Sequence, residues 1–187
     1  MKTSTLSSTL FIAGISALFS LNSCSSNETK NQQESKDTTS QSASNLMQEG
    51  PVYDAAKIDA SAPVTEITLK ATGNTMAEMK YDQTELHVKT GTTVKLKLVN
   101  TGKDAAMQHN FVLIEKGSAG KVGPEGLKAG PDNNYIPKMK EILVSTKLTG
   151  PGQTSEVIFP APSKGEYDFI CTYPGHFTIM KGKFFVE

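Results

Sequence analysis

Residues 93–99 read TVKLKLV, and three aliphatic side chains at every second position alternate there with two lysines. Successive side chains of a β-strand point to opposite faces of its sheet, so this pattern predicts a strand with one buried face and one solvated face. The inward-facing residues would be Val94, Leu96 and Leu98. A period of two, rather than 3.6, indicates β-structure at this point of the chain.

Six further short segments rich in β-branched and aromatic residues flank this strand, and glycine, proline, asparagine and aspartate separate them. These segments are 64–69, 85–88, 110–114, 155–159, 166–170 and 183–186. Seven short strands in about 125 residues are typical of sandwiches. The sequence therefore predicts an all-β domain, an antiparallel Greek-key β-sandwich, over residues 63–187.

Residues 115–141 depart from this rhythm, because they hold five glycines, three prolines and five lysines without any sustained alternation. Long segments of this kind inside compact domains are usually functional or mobile. We expect one long excursion between strands, and we expect it to carry a short helix.

The composition excludes one class of partner. The chain has 187 residues, no arginine, and 19 lysines against 19 acidic residues, so its formal net charge is zero. Bidentate recognition of phosphate by arginine is absent, and no net positive charge attracts a polyanion. We therefore expect no binding to nucleic acid.

The N-terminus has the pattern of a targeting signal. Lys2 precedes an apolar run at 10–19 that is too short to span a bilayer permanently, and the run leads to LNSC at 21–24. This ending resembles a bacterial lipobox, in which the cysteine is acylated and becomes the mature N-terminus. We expect a lipoprotein signal peptide over 1–23 and lipidation at Cys24; an ordinary signal peptide and a buried helix are the alternatives.

The segment that follows has few bulky apolar residues. Serine, threonine, asparagine, glutamine and charged residues dominate it, so it cannot bury enough surface to offset the entropy lost on ordering. We expect a disordered, lipid-anchored tether over 24–62. The protein would then sit in a bacterial cell envelope, on a membrane that faces the periplasm or the outside.

One short segment near the end of the chain holds three soft donor groups. Residues 171–180 read CTYPGHFTIM and contain Cys171, His176 and Met180. A thiolate, an imidazole and a thioether suit copper or, less well, zinc. Zinc sites are built from cysteine, histidine and carboxylates, so the methionine favours copper.

A mononuclear site of this kind needs a second imidazole, and the chain offers two candidates. His87 lies in an alternating strand between apolar residues, so we expect it to face solvent. His109 lies at the entry of a predicted strand, and we take it as the ligand. Two histidines, one cysteine and a weak axial methionine are the ligands of blue-copper electron-transfer sites.

The same residues carry a family resemblance. CTYPGHFTIM followed by KGKFFVE, residues 171–187, resembles the ligand loop and last strand of azurins, which are cupredoxins. MQHNF at 107–111 is similar to the azurin segment around the first histidine, and TKLTGPG at 146–152 is similar to the stretch before the penultimate strands. The resemblance covers roughly 64–187 and implies a cupredoxin-like fold with one type 1 copper per chain.

It also implies a role for each residue near the copper. The ligands would be His109, Cys171 and His176 in the equatorial plane, Met180 on the axis, and the backbone carbonyl of Gln108 as a weak further donor. Azurins usually have glycine in place of Gln108, whereas auracyanins, a photosynthetic branch, are similar to this chain in having glutamine. Azurins also carry a disulfide for which this chain has no cysteines left.

Two residues would surround the ligands by the same resemblance. Asn110 would tie the two ligand loops together, and its backbone N–H and that of Tyr173 would donate hydrogen bonds to the thiolate. One ring edge of His176 would face outward. The apolar patch around that edge would consist of Ala106, Met107, Pro174 and Ile179.

These observations lead us to expect single-electron transfer with cytochromes or other electron carriers, at a membrane to which the lipid anchor attaches the protein. We do not expect an enzyme, because three histidines cannot also build the second copper cluster of an oxidase. A binuclear copper centre would need a second cysteine in the loop. The alternative function is a copper-binding lipoprotein for copper storage, sensing or delivery.

Overall fold

The computed structural model describes residues 58–187, so the expected signal peptide, Cys24 and most of the expected tether lie outside the described residues. Within the described part, nine strands, one α-helix and one 3₁₀ turn follow one another along the chain. They are β1 (Val64–Thr72), β2 (Lys80–Tyr81), β3 (Glu85–Val88), β4 (Thr93–Asn100), β5 (Val112–Glu115), α1 (Ala119–Ala129), the 3₁₀ turn (Pro131–Asn133), β6 (Ile142–Ser145), β7 (Thr154–Pro160), β8 (Gly165–Ile170) and β9 (Lys181–Val186). None of the helices among these residues is long and apolar enough to cross a membrane.

The strands form two sheets. The four-stranded sheet has the order β2-β1-β4-β7, and the five-stranded sheet has the order β3-β9-β8-β5-β6. The all-β sandwich predicted from the sequence is confirmed, although the sheets are mixed rather than purely antiparallel. The pairs β1–β4 and β3–β9 run parallel. Parallel neighbours need a crossover, which for β1 and β4 is supplied by the chain's passage through β3 in the opposite sheet.

The strand at 93–99 lies at the centre of the four-stranded sheet, where the alternation predicts it. Val94, Leu96 and Leu98 are fully buried, and the two lysines between them lie on the outer face. Around these residues, the core is filled by phenylalanines from other parts of the chain. They are Phe111, Phe159, Phe169 and Phe184. The apolar face of β4 therefore packs between the sheets, as expected for a sandwich.

The excursion at 115–141 carries the expected short helix, and this helix packs on the CTYPGHFTIM segment. Gly123 lies against the ring of Phe177, and Gly126 lies against the carbonyl of Thr172. A Cβ atom at either glycine would overlap these neighbours, so only glycine allows the helix to approach so closely. The excursion is thus a support for the loop between β8 and β9.

The sequence patterns do not predict β2 and β6. A strand of two residues, Lys80–Tyr81, is too short to show any alternation. Ile142–Ser145 is a short apolar run at the end of the glycine- and lysine-rich excursion, and a run of this length has no distinctive period. β6 pairs with β5 across the whole excursion, whereas β2 pairs with β1, the strand that precedes it.

Candidate metal centre

The ligands predicted from the sequence meet at one end of the sandwich. His109 lies three residues before β5, and Cys171 follows the last residue of β8. The two strands are antiparallel neighbours in one sheet, with Val112 opposite Ile170. This pairing brings together two residues that are 62 positions apart in the sequence.

Three donor atoms face one another around a common point. The sulfur of Cys171 lies 4.0 Å from Nδ1 of His109 and 3.7 Å from Nδ1 of His176, and the two ring nitrogens are 3.2 Å apart. An ion with bonds of about 2.0 Å to nitrogen and about 2.3 Å to sulfur in a trigonal plane would hold such atoms about 3.5 to 3.7 Å apart. The observed separations agree within a few tenths of an ångström. The three side chains therefore fit one metal ion without rearrangement.

Burial determines the protonation of these groups. His109 and Cys171 are fully buried, and His176 is 1% exposed. Burial lowers the pKa of His109 to about 4, with repulsion from His176 as a second cause, and burial also lowers the pKa of His176 to about 4. Burial raises the pKa of the Cys171 thiol to about 12 against the opposing effect of two backbone hydrogen bonds. Neutral imidazoles can bind a metal cation, and a cation bound beside the buried sulfur would stabilise the thiolate form of Cys171.

Met180 completes the donor set from the end of the loop. It is fully buried. Its backbone N–H donates to the carbonyl of His176 at 2.8 Å, and its own carbonyl accepts from the N–H of Cys171 at 3.0 Å. The chain turns at Gly175, just before His176. The φ of Gly175 is +83°, a conformation that glycine adopts without strain. The loop is thus closed on itself with all three of its donors on one short segment.

Asn110 joins the two ligand segments. Its Oδ1 accepts from the N–H of Thr172 at 2.8 Å, and its Nδ2 donates to the Thr172 hydroxyl and to the carbonyl of Asn134, both at 2.9 Å. Backbone hydrogen bonding from Asn110 and Tyr173 lowers the pKa of the Cys171 thiol, against the larger effect of burial. The Asn110 side chain therefore bonds the His109 segment to the Cys171 segment, whereas the roles of Asn110 and Tyr173 at the thiolate stay predictions.

Two other candidates have different positions. Gln108 is half-buried, and its side-chain amide makes only a loose contact of 3.5 Å with the carbonyl of Ala105; coordination through its own carbonyl stays a prediction. His87 is exposed on β3, stacks on Phe185 and lies 3.0 Å from a carboxylate oxygen of Glu187. The expectation that His87 faces solvent agrees with this position.

The predicted contact surface needs two corrections. Met107 is only 7% exposed and packs in the core, so its placement on the surface is wrong. A different methionine, Met76, is 46% exposed, and its methyl group lies next to Gly175. Ile179 is 49% exposed. The expectation that one ring edge of His176 faces outward is also wrong, because His176 is 1% exposed and its neighbours form the surface above the ring.

Sequence reasoning missed two residues that come from the opposite sheet. Asn100, at the end of β4, donates through Nδ2 to the carbonyls of Met107 at 2.7 Å and Thr149 at 3.0 Å. Thr149 in turn exchanges two backbone hydrogen bonds with His109. Tyr81 on β2 donates its hydroxyl to the carbonyl of Asn110. Nothing local in the sequence distinguishes these residues, because both act across the core.

Comparison with known proteins agrees with this geometry. Residues 66–187 match the family model of copper binding proteins of the plastocyanin/azurin family. The chain belongs to this family. It is 40% identical to auracyanin-A of Chloroflexus aurantiacus over 130 residues, which cover 68% of this chain and 76% of the relative. It is 41% identical to an azurin of Alcaligenes faecalis over 96 residues, which cover 48% of this chain and 73% of the relative.

Solved structures lead to the same cupredoxin fold. The auracyanin A structure from Chloroflexus aurantiacus, described as a blue copper protein, aligns with a TM-score of 0.60 at 36% identity and covers 66% of this chain and 99% of that one. An auracyanin structure from Roseiflexus castenholzii aligns with a TM-score of 0.59 at 36% identity. The alignment covers 67% of this chain and 99% of that one. This cupredoxin therefore has a type 1 copper site, formed by His109, Cys171, His176 and Met180.

Proposed function

We propose that this cupredoxin is a single-electron carrier, not an enzyme, and that it is tethered to a bacterial membrane. The observation that carries the proposal is the spacing of the three donor atoms, 3.2 to 4.0 Å apart in a fully buried site. The copper, when bound, supplies the one-electron redox couple. Ligands that already occupy metal-binding positions have little need to move when the oxidation state changes.

The protein contributes rigidity and a fixed polar environment. Helix α1 contacts the ligand loop through Gly123 and Gly126, and Asn110 bonds the loop to the segment that carries His109. The N–H groups on the Cys171 sulfur stabilise an electron-rich thiolate, which favours the reduced state and raises the reduction potential. Burial keeps water away from the ligands.

Electrons would enter over the surface above His176. Met76 and Ile179 are exposed there, Ala106 is exposed, and Pro174 is half-buried. An apolar surface suits the brief contacts that electron carriers make, since such interfaces are at the low end of the size range. The partners would be cytochromes or other redox proteins.

Membrane attachment is supported by the sequence of the N-terminal segment, which lies outside the described residues. The lipobox-like LNSC at 21–24 would place a lipid on Cys24, and the polar segment 24–62 would have a reach of roughly 35 Å as a disordered tether. The domain would then work in the cell envelope, facing the periplasm or the outside of the outer membrane.

Copper storage, sensing or delivery is the competing function, and copper retention separates the two. A delivery protein must release its metal, whereas a carrier must hold it through many redox cycles. The experiment loads the purified protein with Cu(II), reduces and reoxidises it repeatedly beside a competing chelator, and measures the copper that stays bound. Retention through the cycles supports electron transfer; loss of copper on each reduction would favour delivery.

A further inference from the structure

The hydroxyl of Tyr81 reaches the copper-ligand segment from the opposite side of the sandwich. Tyr81 belongs to β2 in the four-stranded sheet, whereas His109 and Cys171 flank strands of the five-stranded sheet. Its side chain is 4% exposed and crosses the core beside Phe169, with the ring centroids 5.4 Å apart. The hydroxyl donates to the carbonyl of Asn110 at 2.6 Å.

Asn110 is the residue through which this bond reaches the copper site. It follows the ligand His109 in the chain, and its Oδ1 accepts from the N–H of Thr172, which follows the ligand Cys171. Backbone hydrogen bonding from Asn110 also lowers the pKa of the Cys171 thiol. The side-chain bonds pull Asn110 toward the ligand loop. The Tyr81 bond holds its carbonyl from the opposite sheet, so the residue is fixed from two directions.

We propose that Tyr81 is a positioning residue for the copper centre, and that it acts through Asn110. The bond keeps the Asn110 N–H aimed at the thiolate sulfur. Without the hydroxyl, a buried carbonyl loses a partner and its segment relaxes toward another one. The N–H···S bond then lengthens, the thiolate becomes more electron-rich, and the oxidised state is favoured.

The competing explanation is that Tyr81 only fills the core beside Phe169. Tyr81→Phe separates the two roles, because it keeps the ring and removes the hydroxyl. Tyr167→Phe is the matched control, since the Tyr167 hydroxyl also donates to a backbone carbonyl, that of Ser163, at 2.8 Å. That bond joins β8 to the turn before it, at the end of the strand away from Cys171.

The test measures the reduction potential and the thiolate-to-copper absorption band of the copper-loaded protein, together with hydrogen exchange at the Asn110 amide in the metal-free protein. We expect Tyr81→Phe to lower the potential, to move the band to longer wavelength and to speed exchange at Asn110. Copper affinity should fall about tenfold, the lower end of the range for residues that orient ligands. Tyr167→Phe should change none of these quantities.

The proposal is overturned if folded Tyr81→Phe loses only thermal stability and keeps the wild-type potential, band and Asn110 exchange. If Tyr81→Phe does not fold, replacing Tyr81 by 3-fluorotyrosine tests the same bond, because a more acidic phenol donates more strongly. A raised potential would support the proposal, and an unchanged potential would overturn it. The proposal rests on the copper site and not on the choice of redox partner, so its outcome is independent of copper retention during cycling.

Discussion

Nδ1 of His109 and Nδ1 of His176 lie 3.2 Å apart, although 67 residues separate the two histidines in the chain. Both rings are buried, and the pKa of each lies at about 4, so both are neutral at pH 7, the form in which imidazole binds a metal. Protonating either ring would place a charge in a dry pocket beside the other. The same burial that prepares the site for copper makes the metal-free protein sensitive to acid.

The first prediction concerns that sensitivity. Unfolded histidine binds a proton below its ordinary pKa of about 6.5, whereas the folded His109 and His176 do so only below about 4. The unfolded chain therefore binds more protons in this window, and the stability of the metal-free protein falls as the pH drops from 6.5 toward 4. At pH 5 the loss should reach up to about 2 kcal/mol for each histidine.

Urea unfolding of the metal-free protein at pH 7.5 and pH 5 measures this loss. His176→Gln removes one of the two titrating rings, so this variant should show a clearly smaller pH dependence than the wild type. Equal stability of the wild-type protein at both pH values would contradict the argument.

The second prediction concerns the axial position. Met180→Leu replaces a buried thioether by an apolar side chain of similar size, and it leaves the three closely spaced donors in place. Because the lost donor is weak, we expect the copper site to stay blue. Its reduction potential should rise, since a weaker donor set stabilises the oxidised ion less. Cyclic voltammetry measures the shift; complete loss of copper binding would show that Met180 is a primary ligand.

The third prediction concerns electron entry. Ile179→Lys puts a charge on the exposed surface above His176, which should hold a partner away and slow electron self-exchange, because electron transfer falls steeply with distance.

Ile158→Lys is the matched control, since Ile158 is 38% exposed on β7 of the four-stranded sheet. The visible spectrum should be unchanged in both variants. Equal exchange rates for both variants, at matched ionic strength, would mean that electrons enter elsewhere. Met107→Lys is unsuitable, because Met107 is buried and a lysine there would disrupt the core.

The fourth prediction concerns the anchor. Cys24→Ala removes the expected site of acylation, so the protein should accumulate with its signal peptide attached or appear in the soluble fraction. Cys171→Ser is the control: it removes the other cysteine of the chain but keeps Cys24, so this variant should remain in the membrane fraction. Fractionation of cells that express each variant gives the result. Equal membrane partition of wild type and Cys24→Ala would exclude the lipid anchor.

The sandwich and the copper ligands were predictable because their signals are local. The alternating segment 93–99 forms the central strand β4. Cys171, His176 and Met180 lie within ten residues of one another in the sequence. The first histidine could be chosen because His87 has the pattern of a solvent-facing strand residue, and the structure places it there. Short spacing and strict periodicity are readable from one chain.

The remaining features depend on which distant residues meet. Neither strand sequence predicts the parallel pairing of β1 with β4, because this pairing follows from the path of the chain between the two strands. Met107 was placed on the surface because an apolar residue beside a ligand suits a core and a contact patch equally well. The hydroxyl of Tyr81 matters only because Asn110 lies opposite it across the core. Long-range contacts of this kind have no signature in the local sequence.

The type 1 copper site is tested by the optical and EPR spectra of the purified metal-free protein after addition of one equivalent of Cu(II). We expect an intense blue absorption from thiolate-to-copper charge transfer, together with the narrow copper hyperfine splitting of a type 1 site. Cys171→Ser should fold normally and lose the colour, because the sulfur that supplies the transition is absent. A wild-type protein that binds one copper and stays colourless would contradict the account.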